Sequence, residues 1–187
     1  MDKVKKLNKY DEVKLAEIKY GLEGFYLQVT KLIVIVALAF LLKISKNTFI
    51  FIGFSFLIRT FSSGFHANSS FQCLVISILL FIGLPILANY IHFNDLALCI
   101  IYFCLTIGYF ILAPKDTEKK PICNKKKIFW LKIISVIIII ICFIISMFVE
   151  NKIIINLMTL ALLNQLLMLS PIPFWIFRQK YNFKWFK

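Results

Sequence analysis

Residues 133–149 read IISVIIIIICFIISMFV, without a single charged side chain. A helix crossing the hydrocarbon core of a bilayer needs about 20 mainly apolar residues, and this run with its flanks supplies them. The rest of the chain has the same character. Of its 187 residues, 60% are hydrophobic and 17% charged, whereas soluble domains average roughly half apolar and a quarter charged. Apolar segments recur at 27–42, 48–61, 74–92, 95–113, 128–149 and 153–177. The pattern predicts an all-α, polytopic integral membrane protein.

Segments 74–92, 95–113, 128–149 and 153–177 are read as four transmembrane helices. Segments 27–42 and 48–61 form an N-terminal pair that either crosses, giving up to six spans, or dips in as a re-entrant hairpin. Pro85, Pro171 and Pro173 interrupt the third and last segments, which is tolerated where neighbouring protein satisfies the freed backbone groups. Residues 1–26 repeat Leu15, Ile18, Leu22 and Phe25 at helical spacing, with Lys14, Glu17 and Lys19 between them. That stretch is expected to be an interfacial amphipathic helix. It lacks an apolar stretch followed by a small-residue cleavage site, so retention of the N-terminus is expected. The division is then an N-terminal helix (1–26), one membrane domain (27–177) and a basic tail (178–187).

Positive charge orients the chain. Six Lys fall in residues 1–20, six in 114–127, and Arg178, Lys180, Lys184 and Lys187 follow the last segment. The connections near 93–94 and 150–152 are nearly neutral. By the positive-inside rule both termini and the 114–127 loop face the cytoplasm of a cell membrane. One hairpin back, the stretch 59–73 faces the same side, whether the N-terminal pair crosses or returns. The net charge of +13 does not point to nucleic acid, because the basic residues flank spans, where topology and anionic lipid explain them.

The stretch 59–73, RTFSSGFHANSSFQC, is unusually polar for its place between two apolar segments. Polar and ionisable groups near membrane depth mark functional sites. His66 and Cys73 are the suggestive pair, since imidazole can take a thiol proton and imidazolium stabilises the thiolate. In one unbroken helix, residues seven apart are separated by roughly 10 Å along the axis, too far for a nucleophile–base contact of about 3 Å. A working pair therefore requires the chain to turn or unwind between them. Asn68, Ser69 and Ser70 suit that break, and Ser69 or Ser70 would cap a helix carrying Cys73 near its positive end. The bland alternative is that a His and a Cys seven apart mean nothing. Cys99, Cys104 and Cys142 lie in apolar runs and read as packing residues. A metal at the pair is not expected, because structural zinc wants four ligands. His92 reads as an interfacial residue on the opposite side.

At these residues the chain resembles a known family. Arg59, Gly64-Phe65-His66-Ala67, Ser69-Ser70 and Cys73 follow the R-x4-G-x-H-A-x-S-S-x-x-C signature of AgrB, the accessory gene regulator membrane peptidases of Gram-positive quorum sensing. Ala113-Pro114-Lys115-Asp116-Thr117-Glu118-Lys119-Lys120-Pro121-Ile122 is similar to the family's A-P-x-x-T-x-x-K-P-I loop, and Tyr20-Gly21-Leu22-Glu23 to an N-terminal pattern of clostridial-type members. The resemblance implies a cysteine endopeptidase that removes the C-terminal tail of an AgrD-type propeptide and promotes thiolactone or lactone closure. It implies Cys73 as nucleophile and His66 as general base. It gives Arg59, Gly64, Ser70, Lys119 and Lys120 supporting or substrate-binding roles. No cofactor is implied, and a homodimer is suggested. Asp116, a third catalytic candidate, reads more simply as a solvated loop acid.

Two other classes stay open. A small transporter or permease subunit would account for broken helices, but no inverted repeat is visible and the 59–73 cluster would go unexplained. A non-catalytic scaffold that recruits the propeptide would keep the loops without the chemistry. The orientation is checked at Cys123: it is expected to react with thiol reagents from the cytoplasmic face. Labelling only from outside would invert the topology.

Overall fold

A computed structural model describes residues 12–62, 70–114 and 125–176. Seven helices and no strand occur among them: α1 (Glu12–Leu41), α2 (Ser45–Ser62), α3 (Ser70–Leu87), α4 (Asp95–Leu112), α5 (Lys125–Phe148), α6 (Lys152–Leu169) and α7 (Pro171–Ile176). Among the described residues, four helices are long and apolar enough to cross a membrane: 24–41 in α1, α4, 128–148 in α5, and α6. The expected number is met with one exchange of membership. The third apolar segment falls short, because α3 ends at Leu87 just past Pro85 and its apolar part, Gln72–Leu87, is brief. In its place the first segment qualifies, as the C-terminal part of one continuous 30-residue helix. The last segment is shorter than read, since α6 stops at Leu169 and the chain restarts at Pro171.

Local chemistry sets these limits. Lys43 adopts a left-handed φ of 58° after α1. The Ile44 amide donates to the Ala39 carbonyl and the Lys43 amide to that of Phe40. This is the paired reach-back that closes a helix C-terminus. Asn94 begins α4 by accepting from the Ala97 amide, and Asn151 begins α6 by accepting from the amides of Ile153 and Ile154. Each supplies an acceptor to otherwise orphaned N–H groups.

The centre of the bundle is α6, buried on every side from Ile155 to Leu162. Between helices in lipid, packing and polar contacts must do what the hydrophobic effect does in water, and α6 supplies both. Asn156 Nδ2 donates to the carbonyls of Ala88, at 2.9 Å, and Ile91, at 2.7 Å, just past the end of α3. The hydroxyls of Tyr102 and Thr159 lie 3.4 Å apart, and the Tyr109 hydroxyl donates to the Leu162 carbonyl at 2.9 Å. Gln165 Nε2 donates to Ser62 Oγ at 2.9 Å, securing the end of α2. A Cβ placed on Gly108 would sit 2.8 Å from Leu166 Cδ1, so the glycine lets α4 approach α6 closely.

Against α6 lies the stripe Thr48, Phe51, Ser55, Ile58 and Ser62 of α2. Its small residues recur every seven positions and draw the two backbones together. More peripheral is α1, whose Ile35 and Ala39 pack on Ile82 of α3 while Leu22, Phe25 and Tyr26 stay exposed. Cys142 is buried in the largest apolar cluster, whereas Cys99 and Cys104 are exposed. Replacing Asn156 by Val leaves the Ala88 and Ile91 carbonyls without this donor. Removal of a buried hydrogen-bonding partner costs about 1–3 kcal/mol, so thermal unfolding in detergent is expected at a distinctly lower temperature.

Candidate functional site

Cys73 is the fourth residue of α3, and the preceding described helix, α2, ends at Ser62. The cysteine therefore sits in a first helical turn, where unpaired amides and the helix dipole favour negative charge. Gly64, His66, Lys119 and Lys120 lie outside the described residues, as do Asp116 and Cys123. Ser70 is the opening residue of α3, one turn ahead of Cys73.

Cations from two other helices lie near the sulfur, and one touches it. Lys31 of α1 directs Nζ at Cys73 Sγ, 3.1 Å away, across 42 positions of sequence. Arg59, in the last turn of α2, interacts electrostatically with the same cysteine. Arg59 and Cys73 also share the wall of a small cavity of about 40 Å³ with Ser77, Phe81, Asn164 and Met168. A space of that size takes a water molecule or one small polar group, not a length of peptide.

The polar groups on the wall are unequally occupied. Ser77 Oγ donates to the Cys73 carbonyl of its own helix at 2.7 Å. Asn164 Oδ1 is buried and has no hydrogen-bond partner. Beside it, Gln165 is committed to Ser62, whose hydroxyl donates to the Ile58 carbonyl. The site thus offers a half-buried sulfur, two cations and an unused amide acceptor. No group of three or more His, Cys, Asp or Glu that could hold a metal occurs among the described residues.

Of the residues singled out from the sequence, the structure brings Arg59 and Cys73 to one cavity. It adds Lys31 and Asn164, which the sequence reading passed over. A signal for both was present. Lys31 is the one charge within 27–42, and Asn164-Gln165 is an amide pair deep in an apolar run. Intramembrane polar residues are functional candidates by default, although nothing in the sequence pairs them with Cys73.

Similarity to known proteins agrees with the motifs. The family model for accessory gene regulator B, AgrB, matches residues 1–169. The chain belongs to the AgrB family. Accessory gene regulator protein B of Staphylococcus aureus strain MRSA252 is 37% identical over 153 residues, 79% of each chain. That of strain Newman is 35% identical over 165 residues, 84% of this chain and 87% of its own. A putative AgrB-like protein of Clostridium acetobutylicum is 24% identical over 180 residues, 95% of this chain and 86% of its own. No solved structure matches. The AgrB match takes in Lys31, Arg59, His66, Cys73, Lys119, Lys120 and Asn164, and ends with the last residue of α6.

An unpaired buried acceptor in a site is a stability cost that function can retain. Asn164→Leu removes it and fills the adjoining cavity. The variant is expected to unfold at a higher temperature, with about 1–3 kcal/mol gained. A lower unfolding temperature would show that Asn164 has a partner in the folded protein.

Proposed function

We propose that this AgrB-family chain is a membrane cysteine endopeptidase of the quorum-sensing system. In this reading it cuts the C-terminal tail from an AgrD-type propeptide and promotes closure of a thiolactone or lactone ring. The observation that carries the reading is the placement of Cys73: a half-buried thiol in a first helical turn, touched by Lys31 at 3.1 Å. A packing cysteine has no use for a cation at its sulfur, whereas a thiolate nucleophile does.

The steps follow from the residues. His66 takes the proton from the Cys73 thiol, and the thiolate attacks the scissile carbonyl carbon. The tetrahedral adduct collapses as the C–N bond breaks, and His66 returns its proton to the departing amine. A thioester between the propeptide and Cys73 remains. A cysteine or serine within the same propeptide then attacks that acyl carbon and gives its proton to His66, the bond to Cys73 Sγ breaks with the electron pair on sulfur, and the ring closes. Exchange of one thioester for another is nearly balanced in energy, so exclusion of water and positioning of the internal nucleophile decide cyclisation over hydrolysis. No metal or organic cofactor enters these steps.

Lys119 and Lys120 would meet an acidic part of the propeptide, while Arg59, Gly64 and Ser70 would support the loop and the helix start. Residues 1–26 would lie at the cytoplasmic interface. Both termini, the 114–127 loop and the active site would face the cytoplasm, with 27–177 forming the membrane domain. The test is co-expression with the propeptide. Cys73→Ala is expected to abolish tail release, and His66→Ala to slow it by about 10²–10⁴-fold, the usual contribution of a general base. Tail release by either variant at the native rate, with normal membrane insertion, would end the peptidase reading.

A further inference from the structure

We propose that Lys31 is the counter-ion of the Cys73 thiolate, a positioning residue that holds the sulfur anionic and aimed before attack. This rests on the reading of Cys73 as nucleophile and adds to it a group on a different helix.

Three observations carry it. The first is contact: Nζ lies 3.1 Å from Sγ, shorter than van der Waals contact. The second is hydrogen-bond direction. A lysine ammonium has three donors and no acceptor, so the sulfur must accept, and a thiolate accepts far better than a thiol. The third is charge balance. Lys31 lies at this sulfur, yet residues 24–94 contain no Asp or Glu, and neither do residues 152–169 of α6. Among the described residues, the groups facing Cys73 from the other helices packed around it are Lys31 from α1, Arg59 from α2, and the uncharged Asn164 and Met168 from α6. A cation held within a membrane bundle normally pairs with an anion. Within residues 24–94 and 152–169, Cys73 is the acid group in contact with Lys31.

The arrangement serves both halves of the reaction. Before attack, the ammonium stabilises the electron pair on Sγ that forms the bond to the acyl carbon. At ring closure the C–S bond breaks and that pair returns to Sγ, so the same ammonium favours departure. Between these events the sulfur is neutral in the thioester and Lys31 loses its anion, which works against accumulation of the intermediate. Lys31 exchanges no proton in this scheme.

The test uses the full chain in lipid nanodiscs and needs no propeptide. Iodoacetamide modification of the Cys73-containing peptide is followed by mass spectrometry at pH 7 and pH 10, for the native chain, Lys31→Met and Lys31→Arg. Lys31→Met is expected to slow alkylation at pH 7 by about tenfold, because the sulfur loses its adjacent cation. At pH 10 the difference should narrow, and Lys31→Arg should recover most of the pH 7 rate. The same ratio should appear in a His66→Ala background, which separates Lys31 from the imidazole. An equal pH 7 to pH 10 ratio in all three chains overturns the proposal. So does an equal loss at both pH values in Lys31→Met, which would mark a packing role. The peptidase reading fails differently, by tail release from Cys73→Ala, so the two failures are distinct.

Discussion

The bundle depends on a row of polar side chains along α6, in surroundings where polar groups have few partners. Helices already immersed in lipid gain little from hydrophobic burial against each other, so tight packing and well-directed hydrogen bonds decide which neighbours they keep. Asn156 holds the end of α3, Thr159 and the Leu162 carbonyl meet the two tyrosines of α4, and Gln165 holds Ser62 at the end of α2. These contacts sit at successive levels along one helix. They therefore set the height of each neighbour as well as its identity.

The height matters for chemistry. Gln165 anchors the terminus of α2 and places Arg59, one turn earlier, beside the first turn of α3. Asn164 turns toward the same cavity from the adjacent position of α6. Lys31 arrives from α1, the least buried of the four span-length helices, and reaches the sulfur with a long side chain. A buried centre thus positions Cys73, the proposed nucleophile, while a peripheral helix provides a cation. That division suits the proposed reaction, in which charge on the sulfur is balanced while a propeptide is cut.

Much of this was legible in the chain. Uncharged runs announced a helical membrane protein, because the bilayer admits few other ways to satisfy a spanning backbone. The R-x4-G-x-H-A-x-S-S-x-x-C pattern singled out Cys73, and Asn and Ser before it marked a helix start where α3 does begin. Span lengths were less legible. Pro85 left the limit of α3 to tertiary context, and the charged N-terminal stretch concealed one helix running unbroken from Glu12 to Leu41. A hydropathy pattern averages over neighbours and does not register where a backbone hydrogen-bond ladder stops.

By itself, the sequence determined the helical class, the basic and neutral connections, the family motifs and the cysteine that carries the proposed chemistry. Each is a local property of residue type and spacing, sufficient to settle how a segment partitions into lipid or what a side chain can do. Only the tertiary structure decided that Lys31 meets Cys73, that Arg59 and Asn164 share its cavity, and that α6 lies at the centre. Those facts depend on contacts between residues tens of positions apart. Their physical origin is the registry of packed helices, and no single segment encodes it.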